Sequence, residues 1–452
     1  MELKIFVNQL FKEAKDVGFA ECEVYYVDRE SLSINVYKEE VEKYNLNTSY
    51  GLSFRGKMGD RIGYSYTEIL DEEAIHMLVN KAKENVLAIE SEDVQFIYGG
   101  DKEYKEISTY SEALENISPD KLIQIALDME KEAKALNSKV ESFAGCAVAY
   151  SSGKYGIINS KGLNLHNKSN LLSAYVCPII KEDEKMYDGF GYAIAKSLEE
   201  VNPKKIAEDA VNDALSKIGG KAIPSGNYPI VIKNEAMVSM LSTFAGIFSS
   251  DAAQKGLSLL KGKEGEEIAS SVINLVDDPH LKDGFASVGF DDEGVATEKT
   301  YLIKNGRLET LLYNLKTANK AGVKSTGNGF KNSYASSISV SPTNFYIEKG
   351  NKNFDELLAN IEKGLIITDF AGLHSGANAI TGEFSLAVNG FYIENGRKTF
   401  PVEQVTASGN FFNLLKDIEE VGNDLKFPMS SVGSPSIKAV SYTHLRAHET
   451  SQ

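Results

Sequence analysis

A glycine-rich break, Gly219 to Asn227 (GGKAIPSGN), divides the chain into two textures. Before it, long runs with apolar residues at three- and four-residue spacing alternate with strand-like segments. After it, short strands and glycines dominate and long helices are few. Such a chain is restricted to an α+β fold in which helices cover sheets in the first half and mostly antiparallel sheets build a β-rich second half. At 452 residues it also exceeds one ordinary core, since about 150 residues per domain is typical. The expected division is 1–100 and 101–220, each a helix–strands–helix unit, then a β-rich domain over 221–437.

The first unit opens with Leu3, Phe6, Val7, Leu10, Phe11, Ala14 and Val17 on one helix face, ended by Gly18. Strands are predicted at Glu21–Asp28, Ser31–Lys38 and Val41–Asn47 from their period of two. A hairpin, Tyr50–Arg55 and Arg61–Tyr66, and a helix over 71–87 complete the unit. The second unit repeats this plan, with helices starting at Ser118-Pro119 and at Pro203. In the last domain, Tyr301–Arg307 and Phe391–Arg397 both place Asn-Gly in a tight turn that needs positive φ.

A net charge of −16 argues against binding nucleic acid or an anionic membrane surface. The cysteines, Cys22, Cys146 and Cys177, are far apart and form no CxxC, as expected of reduced, buried thiols. The first residues lack a signal-peptide layout, and Ala236–Phe248 falls short of the ~20 residues that cross a bilayer. A cytoplasmic protein is therefore expected, with no membrane and no nucleic-acid partner.

The residues offer few sites for chemistry. Asn234–Gly256 follows the buried strand Tyr228–Lys233 and reads as a helix capped by Asn234, with Met237, Met240, Leu241, Phe244, Ile247 and Phe248 on one face. It carries no His or Cys. Asp291-Asp-Glu293 supplies carboxylates suited to a hard cation or to a solvated loop. Gly372 to Gly390 gathers small residues with His374, Ser375, Thr381, Glu383 and Ser385, a backbone that another chain can approach closely. His374–Ser375 is a possible nucleophile pair for which no orienting carboxylate is identified.

The last fifteen residues, 438–452, lose all apolar periodicity and hold His444 and His448 at helical spacing. The segment resembles translated sequencing-adapter readthrough. It is read as a non-native tail that replaces the true C-terminal strand from about Ala439 or Val440.

Several motifs, in order, resemble the TldD/PmbA family of metallopeptidases: Gly51, Arg55 and Gly63; Asp291–Gly294; Ser325-Thr-Gly-Asn-Gly329; Gly372-Leu-His-Ser-Gly376; Thr381-Gly-Glu-Phe-Ser385; Tyr392–Gly396; Pro401-Val402; and Val421-Gly-Asn-Asp-Leu425. The resemblance runs over about residues 3–437. It implies α/β N-terminal parts, a β-rich C-terminal domain and paired subunits of TldD and PmbA (TldE) type. TldD-type subunits carry HExxxH on the helix after the first strand of that domain, plus a Cys near the end, for a zinc-like metal whose bound water the Glu can activate. Aligned back from Gln254-Lys-Gly256, the motif falls on Leu241, Ser242 and Gly246, which offer neither imidazole nor carboxylate, and no Cys follows Leu425.

The resemblance therefore implies a TldE-type subunit with no catalytic residues, metal or other cofactor of its own. The metal is expected in a TldD-type partner, bound as a heterodimer, with a homodimer as the alternative. An extended peptide substrate is expected to contact His374, Ser375, Gly376, Thr381, Gly382, Phe384 and Ser385, with strand addition along Gly376–Ser385 as the expected mode. Two other readings stay open: a hydrolase acting through Asp291–Glu293 or His374–Ser375, and a non-enzymatic peptide scaffold.

Overall fold

The computed structural model describes residues 1–88, 94–440 and 444–447. The chain begins with α1 (Leu3–Asp16), β1 (Glu21–Tyr37), β2 (Glu40–Met58), β3 (Arg61–Thr67) and α2 (Glu72–Ala88). After a connection come α3 (Pro119–Leu136), β4 (Val140–Asn159), β5 (Asn164–Glu182), β6 (Lys185–Asp188), β7 (Gly191–Ala195) and α4 (Pro203–Ser216). The α+β expectation holds. The two helix–strands–helix units pool their strands into one antiparallel sheet in the order β3-β2-β1-β4-β5, with β6 and β7 both paired to β5.

The two predicted strands Glu21–Asp28 and Ser31–Lys38 are one strand, β1. Arg29-Glu30 suggests a break in the sequence, but both neighbours, β2 and β4, pair straight through it. Even-numbered β1 residues face the helices: Cys22 and Val24 pack with α1 and α2, and Leu32, Ile34 and Val36 with α3 and α4. Odd-numbered Tyr25 and Val27 point the other way, onto Phe290 of the C-terminal region. This strand is thus buried on both faces, and it carries Glu23 with it.

The C-terminal region adds β8 (Gly226–Asn227), β9 (Ile230–Ile232), α5 (Asn234–Phe244), α6 (Ser250–Gln254), β10 (Leu275–Asp277), β11 (Thr300–Lys304), β12 (Arg307–Leu308) and α7 (Leu315–Ala321). It continues with β13 (Gly329–Lys331), β14 (Ile338–Val340), β15 (Phe345–Ile347), α8 (Phe354–Leu358), β16 (Lys363–Ala371) and α9 (Leu373–Gly376). The last elements are β17 (Glu383–Glu394), β18 (Arg397–Asn410), α10 (Phe411–Asp417), β19 (Ile418–Val421), β20 (Val432–Gly433), β21 (Ile437–Ala439) and β22 (His444–Ala447). An eight-stranded sheet runs β19-β21-β9-β16-β17-β18-β22-β8, and a five-stranded one β12-β11-β10-β15-β20. Both predicted Asn-Gly hairpins form, with Asn305 and Gly306 at φ 48° and 81° and Asn395 and Gly396 at 52° and 74°.

The main C-terminal core lies between these sheets and is filled by α5. Met237, Met240, Leu241, Phe244 and Phe248 are fully buried there. Phe244 stacks on Phe411 at 4.4 Å between centroids, and Phe248 meets Phe345 of β15. Of the predicted tail, Lys438 and Ala439 lie in β21, paired on both sides, and backbone 444–447 pairs with β18. The rest of that expectation, beyond Val440, falls on 441–443 and 448–452, outside the described residues. No described helix is long and apolar enough to cross a membrane.

Two glycines separate packing from permissiveness. At Gly63 a Cβ would collide with the carbonyl oxygen of Ala82 where β3 meets α2, whereas at Gly246 it meets no atom within 4 Å. Gly63→Ala should therefore destabilise by about 1–3 kcal/mol, and Gly246→Ala should be neutral or stabilise by up to about 1 kcal/mol. Urea unfolding midpoints of the two variants check this contrast.

Candidate functional site

Two places in the fold hold groups beyond ordinary packing. The first is the polar side of α5. Lys233 takes the N-cap position, and Asn234 is already helical; its Nδ2 donates to the Asp424 carbonyl at 3.0 Å and to Asp424 Oδ2 at 3.3 Å. The predicted cap does not form, because Asn234 lies one residue inside the helix, where its Oδ1 accepts the neighbouring Glu235 N–H at 2.8 Å. Asp424 also accepts from the Ser436 backbone N–H and hydroxyl at 2.8 and 2.7 Å, so the Gly422-Asn-Asp-Leu425 stretch anchors the start of the helix. Lys426 pairs with Glu235.

The helix changes to a 3₁₀ turn over Ala245–Phe248. Leu241 is fully buried in the core, Ser242 is exposed, and Gly246 lies exposed in the 3₁₀ turn. A buried alkyl chain, one hydroxyl and a bare Cα do not make a donor set for a zinc-like ion, which takes imidazole, thiolate or carboxylate. Among the described residues no group of three or more His, Cys, Asp or Glu side chains converges as metal ligands would.

The short helix α9 packs against α5 and brings the predicted peptide-contact residues beside it. His374 and Ser375 are exposed on α9, where the Ser375 hydroxyl donates to the Gly372 carbonyl at 3.3 Å rather than to His374. Thr381 and Ser385 are exposed, Phe384 enters the core, and Gly382 turns at φ 80°. The backbone here is already paired within the chain: Ala377 bridges to Phe384, and Asn378 N–H donates to the Glu383 carbonyl at 2.8 Å.

The second place is a charged cluster between the N-terminal sheet and the C-terminal region. Strand register sets Glu23 opposite Arg55 on β2 and Asn159 on β4. Arg55 donates to Glu23 Oε1 from Nε at 2.9 Å and from Nη2 at 2.6 Å, and Asn159 Nδ2 approaches Oε2 at 3.3 Å. Facing them is the acidic turn 291–294. Asp291 accepts the N–H groups of Glu293, Val295 and Gly329, Asp292 that of Lys331, and Glu293 that of Leu315. All three acids are buried and tie β13 and the start of α7 to this turn. Their carboxylates serve backbone amides, where the sequence had left room for a cation.

Lys331 completes the cluster. Its Nζ donates to the Tyr64 hydroxyl at 3.0 Å, the Ser336 carbonyl at 3.1 Å and the Ser53 hydroxyl at 3.4 Å, and lies 4.5 Å from the Tyr64 ring centroid. Burial, reinforced by Arg55, pulls this amine down to about 7. Burial pushes Glu293 up to about 7 and Asp292 up to about 6, against the opposing pull of Arg55 and of Lys331 respectively. Asp291 is raised by burial and by Glu293. A cleft of about 410 Å³ opens onto Arg55, Tyr64, Glu293 and Lys331, with Asn314 and Lys255 towards α7 and α6.

From the sequence, Arg55 stands out only as a motif position and the acidic turn as a motif and a candidate cation or hydrolase site, while Glu23, Tyr64 and Lys331 do not stand out. One signal was present: at residues 24–27 (Val-Tyr-Tyr-Val) both faces of β1 are apolar, so a charge beside them is enclosed on either side.

Residues 22–86, 112–218 and 225–444 match, in order, the family models for domain 1, the central domain and the C-terminal domain of PmbA/TldA metallopeptidases. A Buchnera aphidicola protein named as a metalloprotease PmbA homolog is 26% identical over 93% of this chain and 92% of its own length. A Thermotoga maritima crystal structure, named as a candidate modulator of a DNA gyrase, superposes with a TM-score of 0.91 at 31% identity, covering 98% of this chain and all of the other. TldE from Thermococcus kodakarensis shares the fold, with a TM-score of 0.88 at 22% identity over 97% of this chain and 99% of the other.

Two measurements probe the cluster. Arg55→Met leaves Glu23 buried without its cation and should cost about 3–5 kcal/mol, part of which Glu23→Gln should restore in the double variant. The pH dependence has two limbs. Folded Glu293 holds its proton up to about 7 against 4.5 ordinarily, so the folded chain binds more protons between these values and stability falls as pH rises through them. Folded Lys331 loses its proton near 7 against 10.5 ordinarily, so stability rises as pH climbs from 7 to 10.5. Melting temperature against pH should show the acid-side fall flattened in Glu293→Gln and the alkaline rise flattened in Lys331→Met.

Proposed function

The chain belongs to the PmbA/TldD family of metallopeptidases, and we propose that it serves there as a TldE-type subunit without a metal of its own. In this reading it shapes the chamber and holds an unstructured peptide, while a TldD-type partner supplies the metal and the hydrolytic water. The observation that carries the proposal is the chemistry of α5: Leu241, Ser242 and Gly246 stand where the resemblance places two histidines and a general base. Ser242 and Gly246 are open to solvent, and Leu241 belongs to the core. A metal-activated water needs at least three good donors to hold the ion and a base beside it.

Peptide contact in this proposal falls on His374, Ser375, Thr381 and Ser385, which lie on or next to α9 against that same helix. The extended peptide would lie across these side chains, because the adjoining edge of β17 is occupied by Ala377 and Asn378. The proposed setting is the cytoplasm, consistent with three cysteines that form no disulfide.

Co-purification with a TldD-type subunit from the same source should give a stable complex that cleaves an unstructured peptide, with metal bound in the partner. The chain alone should bind no stoichiometric zinc and leave the peptide intact. Chelator-sensitive cleavage by the chain alone would overturn the proposal, and failure to associate with any TldD-type subunit would favour a scaffold role.

A further inference from the structure

The cleft beside Arg55 has unspent groups of both signs. Arg55 commits Nε and Nη2 to Glu23, and its Nη1 has no partner among the described residues. Glu293 spends Oε2 on the Leu315 N–H, and its Oε1 has no hydrogen bond among the described residues. Lys331 donates only to neutral oxygens, so no carboxylate among the described residues neutralises it at ion-pair distance. Ile62 and Ile338 add an apolar wall to the same cleft, which at about 410 Å³ falls in the range of small-molecule sites.

A ligand with a single charge fits this lining poorly. An anion drawn to Arg55 and Lys331 would meet Glu293, and a cation drawn to Glu293 would meet Arg55 and Lys331; of the other charged residues on the lining, Asp251 and Lys255 pair with each other and Lys316 sits on α7. Like charges in a partly desolvated site repel strongly. A dipolar ligand answers both signs at once. We propose that this cleft binds a small α-amino zwitterion, a free amino acid or a dipeptide, with its carboxylate at Arg55 Nη1 and Lys331 and its ammonium at Glu293 Oε1. The side chain lies against Ile62 and Ile338, which favours an aliphatic residue. This site is separate from the α5 face and stands whether or not the chain works with a metal-bearing partner.

Isothermal titration of the purified full chain with leucine and with leucylglycine tests it, alongside N-acetylleucine, which lacks the ammonium, and leucinamide, which lacks the carboxylate. The expected result is binding of leucine or leucylglycine at least about tenfold tighter than either single-charge analogue. Comparison of leucine with leucylglycine tells the free amino acid from the dipeptide. Glu293→Gln should abolish the preference for leucine over N-acetylleucine. Ser337→Trp, at an exposed position on the cleft wall outside the charged cluster, should block binding by size while leaving the melting temperature unchanged. No heat from any of the four ligands up to about 10 mM, beyond the weak end of specific affinity, equal binding of the analogues, or undiminished binding by Ser337→Trp would overturn the proposal.

Discussion

The pairing of Arg55 with Glu23 is the constraint on which the junction of the two halves rests. Both residues sit on strands whose other face already carries the N-terminal helices, so their side chains have only the C-terminal region to turn to. A charge enclosed in this way is costly unless it is paired and hydrogen-bonded. Arg55 and Asn159 meet that need at Glu23, and the acidic turn, held by backbone amides, closes over them. Hydrophobic contact also crosses the junction, through Tyr25, Val27 and Leu163 on Phe290. Apolar contact alone tolerates sliding, whereas hydrogen-bonded charges fix one register. The cluster therefore specifies how the sheet sits more than it adds net stability.

The same cluster shows why acids and bases of unusual strength can arise from a structural requirement. Burial disfavours the charged form of each group, raising Glu293 and Asp292 and lowering Lys331. Shifts of this kind often mark functional sites, and structural ion-pair networks produce them as well. What distinguishes this cluster is the adjoining cleft together with the two unspent groups, Arg55 Nη1 and Glu293 Oε1. A junction needed only for assembly would have no use for either.

Much of the fold was legible in residue order. Helix faces, the Asn-Gly turns and the shift to β-rich structure after Gly219 follow from local periods and from the φ that glycine and asparagine tolerate. The joining of two units into one sheet was not legible, because pairing of β1 with β4 links residues more than a hundred positions apart and leaves no local trace. The break of the helix after Phe244 was hidden for a related reason. Apolar spacing continues through Ile247 and Phe248, and their burial survives the change to a 3₁₀ turn. At the site, Leu241, Ser242 and Gly246 could be read as poor ligands from their types alone. The cleft could not, since Arg55, Glu293 and Lys331 come together only through tertiary packing.

Helix α5 then shows how this architecture packs around side chains at Leu241 and Gly246 that offer no metal donor. Its apolar face carries Met237, Met240, Leu241 and Phe244 into the main core, each contributing about 1.5–3 kcal/mol on burial. Leu241 is one of them, although the resemblance sets it at the first histidine position. An imidazole in its place would lose that packing and would have to find hydrogen-bond partners inside an apolar core. Ser242 and Gly246, in contrast, face solvent and carry no packing burden. The three positions are therefore unequal: two are open to change, and the third is held by the core. An imidazole ligand at that position would require the helix to rotate or repack around residue 241, so the chemistry of this face is set by the packing of α5 as much as by its sequence.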